Sequence, residues 1–94
     1  MIENFASDET KKIFLGKIST KLPKDIQRTA RRKLIYIDDA EDLQDSPAPP
    51  GNRLEKLKGD RADQYSIRIN DQFRICFEWV DNKAKNVEIV DYRS

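Results

Sequence analysis

The sequence predicts an α+β domain, an N-terminal helical hairpin packed on one face of a small, mainly antiparallel sheet. Three observations carry this. Apolar residues recur at helical spacing as far as Ile37, and from Arg53 onward they alternate with polar ones. Between the halves lies Asp45-Ser46-Pro47-Ala48-Pro49-Pro50-Gly51, whose prolines are incompatible with a helix or a central strand. Helices followed by a run of strands belong to the α+β class.

Ile2-Glu3-Asn4-Phe5 reads as a short edge strand. Ser7 and Asp8 supply N-cap side chains, so the first helix is expected over Ser7 to Leu15, with Gly16 as its C-terminal stop. Pro23 suits the first turn of a second helix. The apolar positions of that helix, Ile26, Ala30, Leu34 and Ile37, form one stripe, and its end is expected between Ala40 and Leu43.

The second half switches to a period of two. Leu54 to Lys58 is an expected strand. Tyr65, Ile67 and Ile69 alternate with polar residues; so do Phe73, Ile75, Phe77 and Trp79, and then Val87 and Ile89. These are three half-buried strands of a meander. Phe73, Phe77 and Trp79 read as core, and Cys76 as inert. Register follows from keeping the apolar face intact. A two-residue loop would set Ile67 against Arg74, on the wrong face. A three-residue loop, Asn70-Asp71-Gln72, sets Ile69 against Phe73 and Arg68 against Arg74. The same logic places Tyr92 on the face of Arg74.

Composition bounds the chemistry. A chain of 94 residues is expected to form a single domain over residues 1–94, with one core and no deep cofactor cavity. The chain has no histidine, which excludes a Ser-His-Asp triad and a histidine-ligated metal site. A lone cysteine excludes an internal disulfide and suits a reducing cytosol. No apolar run reaches membrane-spanning length, and Met1 to Lys12 lacks a signal-peptide core. A cytoplasmic protein with no metal, no cofactor and no membrane partner is expected.

Charge is patterned although the net value is only +1. Lys17, Lys21, Lys24, Arg28, Arg31, Arg32 and Lys33 face one acid, Asp25; Asp38, Asp39, Glu41, Asp42 and Asp45 follow with no base among them. The basic stretch is either a solvated helix face or a stripe that tracks a nucleic-acid backbone. The acidic end suits a partner protein. Arg68 and Arg74, directly opposed, repel unless an anion answers them. Glu78 or Glu88 is one candidate and a phosphate the other. Lys58 joins this cluster if its strand adds at the sheet edge.

Three blocks resemble the HigB-type toxins (plasmid maintenance killer proteins) of the RelE/ParE superfamily. They are Pro50-Gly51-Asn52-Arg53-Leu54-Glu55-Lys56-Leu57-Lys58-Gly59-Asp60-Arg61, the paired strands from Gln64 to Phe77, and Val87-Glu88-Ile89-Val90-Asp91-Tyr92. The resemblance spans Pro49 to Arg93 and implies a RelE-like fold. It also implies a ribosome-dependent endoribonuclease that cuts translated mRNA in the A site. The partners it implies are a HigA-like helix-turn-helix antitoxin, the ribosome and mRNA, with operator DNA bound only through the antitoxin. Two departures stand out. Many HigB-type toxins end this motif in Asp-Tyr-His, where this chain has Asp91-Tyr92-Arg93, and Glu55 lies in a block where some carry a histidine.

RNA cleavage by the adjacent 2′-hydroxyl needs a base, positive charge on the phosphorane and an acid for the leaving oxygen. Arg74, Arg68 and Arg93 are candidates for the charge, with Arg53, Arg28, Arg31 and Arg32 as further RNA contacts. Tyr92, Lys58 and Glu55 are candidates for acid and base. Asp91 is a weaker base candidate, because alternation points it toward the core, where it can orient Arg93 or a loop. The alternatives are a non-enzymatic inhibitor, like the gyrase-directed ParE toxins, and a degenerate toxin that only binds its antitoxin and co-represses the operon.

Overall fold

The computed structural model describes residues 1–40, 55–57 and 64–91. Its elements are α1 (Asp8–Phe14), α2 (Lys24–Asp39), β1 (Glu55–Lys56), β2 (Gln64–Arg68), β3 (Phe73–Val80) and β4 (Lys83–Asp91). The strands form one antiparallel sheet in the order β1-β2-β3-β4. Both helices lie on one face of it, as the α+β reading predicts.

Local chemistry accounts for the helix ends. The Ser7 side chain accepts a hydrogen bond from the Thr10 amide, and Asp8 and Glu9 occupy the first turn of α1, where the helix dipole favours acids. Gly16 follows α1 at φ +84°, a left-handed conformation that costs a side-chain-bearing residue energy. Gln27 then clamps the connection to α2. Its Nε2 donates to the Ser19 and Leu22 carbonyls at 2.9 Å each, and its Oε1 accepts from the Ser19 amide at 3.0 Å. Ser19 Oγ donates to Glu9 at 2.6 Å; this bond, with the Lys12 contact, holds the Glu9 carboxyl below the usual range.

The predicted α2 stripe is the core. Ile26, Ala30, Leu34 and Ile37 pack with Ile13 of α1 against Ile67, Ile69, Phe73, Ile75, Phe77, Ala84, Val87 and Ile89. Trp79 is half-buried at its edge. Burial of this continuous apolar face is the main force holding the helices to the sheet. The residues Ile2 and Phe5 run parallel to β4 through bridges to Ala84 and Val87, so the expected edge strand is a pair of isolated bridges. Thr10 extends that edge: its Oγ1 accepts from the buried Ile89 amide at 3.0 Å.

β4 begins earlier than the alternation suggests. Asp81 and Asn82, both at positive φ, close a tight hairpin after β3. A bulge then interrupts the pairing at Cys76/Glu78, with Asn86 at φ 54°. The extra residue brings both Ala84 and Val87 to the core, three positions apart, and hides the period-two pattern ahead of Val87. β1 lies beside β2 at the sheet edge. Among the described residues its pairing covers Glu55 and Lys56, where Leu54 to Lys58 was expected.

Candidate active site

The predicted register of β2 and β3 is the observed one. Arg68 stands opposite Arg74, and Arg74 opposite Val90 of β4. The Asn70 side chain fixes the connecting turn by accepting from the amides of Gln72 and Phe73, at 2.8 and 2.7 Å. The neighbouring row across the sheet is Glu55, Ser66, Cys76 and Glu88. Arg68, Arg74, Ser66, Cys76 and Glu88 alternate with Ile67, Ile75 and Ile89 of the core, so they belong to the face away from the helices.

The two arginines are held in different ways. Arg74 donates from Nε to Ser66 Oγ at 2.8 Å, and is only 9% exposed; Ser66 is fully buried. Arg68 pairs with Asp71 of the turn, and its backbone carbonyl accepts from Lys33 Nζ of α2 at 2.5 Å. Side-chain partners thus draw one cation along the sheet and the other toward the turn, which eases the repulsion expected of opposed like charges. Glu78, one of the predicted counter-charges, instead binds the Asn86 side chain. Glu88 stays on the arginine face, one row from Arg74.

The strands were expected to be half-buried with a polar face in solvent. β3 is buried on both faces from Phe73 to Phe77, and Cys76 is fully buried. Arg74 therefore lies on the predicted face but is packed into it, its stem laid back toward a small serine instead of standing out. Asp91 was expected to point into the core. It does share the face of Phe73, its partner across the ladder, but at the strand end, where it is exposed and accepts from Gln72 Nε2 at 2.8 Å. Its visible role is to tie the β2–β3 turn to β4.

On α2, Arg28, Arg31 and Arg32 are exposed and line a shallow groove with Thr29 and Ile35. Arg28 and Arg31 also border a second hollow with Gly16, Lys17 and Ile18. Lys33 departs from this basic face. It is buried against the sheet, and desolvation, then Arg32 and Arg68, push its ammonium below the usual lysine range. At the acidic end, Asp38 accepts from the Ile2 amide at 2.9 Å and so anchors the N-terminal segment; Glu41, Asp42 and Asp45 of the acidic patch lie outside the described residues. Tyr92, Arg93, Arg53 and Lys58 lie outside the described residues, as does the side chain of Glu55. Among the described residues there is no group of three or more His, Cys, Asp or Glu placed to hold a metal, and no helix is long and apolar enough to cross a membrane.

Sequence reasoning missed Ser66 and Lys33. The signal for Ser66 was present in the register, which sets it one row from Arg74. The signal for Lys33 was the helical period, which sets it seven residues after Ile26 and three after Ala30, on the buried stripe, apart from Arg28, Arg31 and Arg32.

The chain thus has a helical hairpin on one face of a small antiparallel sheet and opposed arginines on the other, the α+β layout of a small toxin-like domain. Residues 3–93 match the family model described as the RelE-like toxin of type II toxin-antitoxin system HigB, and the chain belongs to that family. It is 43% identical over 65 residues to "Toxin HigB-1" of Vibrio cholerae, covering 69% of this chain and 68% of that protein. It is 31% identical over 86 residues to an uncharacterized protein of Haemophilus influenzae, covering 90% and 85% of the two chains. The solved YoeB-YefM complex from Staphylococcus aureus contains a chain similar in fold, at TM-score 0.56 and 20% identity, covering 94% of this chain and 95% of that one.

Proposed function

We propose that this HigB-family toxin is a ribosome-dependent endoribonuclease that cleaves translated mRNA in the A site. The observation that carries the reading is the Arg68/Arg74 pair, two opposed guanidiniums with one largely withdrawn from water. A desolvated cation interacts more strongly with an anion than a solvated one does. A guanidinium is also suited to bidentate contact with phosphate oxygens.

In this reading the 2′-oxygen attacks the adjacent phosphorus, its proton passes to a base, and the bond to the 5′-oxygen breaks as an acid protonates that oxygen. The products are a 2′,3′-cyclic phosphate and a 5′-hydroxyl end. Arg74 steadies the charge on the phosphorane, with Arg68 and Arg93 beside it. Tyr92, Glu55 and Lys58 divide the acid and base roles, and Asp91 holds the turn that carries Arg68. No metal or cofactor takes part. Arg28, Arg31, Arg32 and Arg53 contact RNA backbone, and the ribosome aligns the message, so that positioning offsets the lack of a histidine.

The partner is a HigA-like helix-turn-helix antitoxin, through which alone the toxin meets operator DNA; the setting is the cytoplasm. The test is to incubate purified toxin with naked message and with the same message on programmed ribosomes. Cuts confined to the ribosome-bound message support the reading. Intact message in both, with DNA breaks in toxin-expressing cells, would favour a ParE-like inhibitor instead.

A further inference from the structure

We infer that Ser66 is a positioning residue for Arg74, fixing the plane of its guanidinium so that the Nη edge is presented to the scissile phosphate. This rests on the proposed role of Arg74. The geometry is specific. Ser66 is on β2 and Arg74 on β3, and they are diagonal neighbours across the ladder, since Ser66 pairs with Cys76 and Arg68 with Arg74. The Arg74 Nε meets Ser66 Oγ at 2.8 Å, and the serine is 0% exposed.

A guanidinium carries its five N–H donors in one rigid plane. Engaging Nε fixes both the direction of that plane and its rotation about the side chain. The Nη atoms then become the edge by which the group meets a phosphate. An arginine on a flexible stem would otherwise lose rotamer freedom on each encounter with substrate. Two further features keep the bond in place. The serine sits in the middle of the sheet, between Glu55 and Cys76 in its row, where the backbone is held on both sides. Arg68, the residue that would push Arg74 away, is itself engaged by Asp71. Alanine or glycine at position 66 would not accept from Nε, so the hydroxyl is what the site requires.

The experiment is single-turnover cleavage on saturated programmed ribosomes by Ser66→Ala, Ser66→Thr, Arg74→Ala and the Ser66→Ala/Arg74→Ala double variant. Antitoxin binding and thermal melting report on folding. Ser66→Ala is expected to lower the cleavage rate about 10- to 100-fold, the scale of a small misplacement of a catalytic group, with ribosome affinity unchanged. Ser66→Thr, which keeps the hydroxyl, should restore most of the rate, and Ser66→Ala should add nothing in the Arg74→Ala background. A second readout uses the wild-type protein alone: the Arg74 Nε proton should give an NMR signal protected from solvent exchange. A wild-type rate for folded Ser66→Ala, additive losses in the double variant, or a freely exchanging Nε proton would each overturn the inference. Full activity of Arg74→Ala would instead overturn the underlying reading of Arg74, so the two failures are distinguishable.

Discussion

Arg68 and Arg74 face each other directly across β2 and β3, yet Arg68 is paired with the turn residue Asp71 and Arg74 with the buried Ser66. Each of the two side chains is thus engaged within the sheet or its turn. Arg74, the more deeply desolvated of the two, should carry more of the catalytic stabilisation.

Arg74→Ala is therefore expected to lower cleavage about 10²- to 10³-fold, the scale of removing one donor from a transition-state anion site. Arg68→Ala is expected to lose less than Arg74→Ala. Growth after induction, at matched expression and with antitoxin binding as the folding control, compares them. Retained toxicity of Arg74→Ala would remove Arg74 from the site.

The sequence was most legible where one residue's neighbours in the chain decide its conformation. Ser7 and Gly16 marked the ends of α1, and Ile26, Ala30, Leu34 and Ile37 showed the buried face of α2. The Arg68/Arg74 register followed from keeping Ile67 and Ile75 on one face. What stayed hidden depends on partners distant in the chain. Lys33 is buried with its ammonium on the Arg68 carbonyl, and Asp38 is engaged by the Ile2 amide. The bulge at Asn86 displaced the apolar period and so concealed the first half of β4. For Ser66 the register showed its place beside Arg74, but not the Nε–Oγ bond between them.

Gly16 gives a stability test of the helical hairpin. The three atoms nearest to a methyl group there all belong to the Arg31 side chain, the nearest at 3.7 Å, so the cost comes from φ +84° and not from crowding. Gly16→Ala should lower stability by about 1 kcal/mol, as read by urea unfolding. An unchanged or raised midpoint would contradict the left-handed conformation.

Lys33 makes stability depend on alkaline pH with a defined sign. Its folded-state pKa lies below the usual 10.5. Between that lowered value and 10.5 the unfolded chain binds more protons at this site, so stability from this group rises with pH in that window. Below the lowered pKa the buried charge opposes folding. Relative to Lys33→Met, the wild type should gain unfolding free energy as pH approaches 10.5. A relative loss would place the Lys33 pKa on the other side of the usual value.

The exposed arginines of α2 should act through salt-sensitive binding to RNA. Reversing Arg28, Arg31 and Arg32 to Glu should weaken ribosome association. It should also flatten the dependence of log affinity on log salt, by about 0.7–0.9 for each phosphate no longer neutralised. Unchanged binding at low salt would show that this groove serves something other than RNA.

The alternation of the sequence predicts Tyr92 on the face of Arg74. As the proposed proton-handling group it should be sensitive to loss of its hydroxyl. Tyr92→Phe should slow single-turnover cleavage about 10²-fold or more. A near-wild-type Phe variant combined with a severe Tyr92→Ala would assign the ring to base stacking, and would move the acid and base roles to Glu55 and Lys58.

The most direct test of the central claim is to map message 5′ ends by primer extension in cells after induction of the wild type and of Arg74→Ala. Two reporters are needed, identical except that one lacks its start codon. New ends are expected within codons of the translated reporter, none in the untranslated one, and none with Arg74→Ala. Equal cleavage of both reporters, or intact messages in toxin-arrested cells, would contradict it.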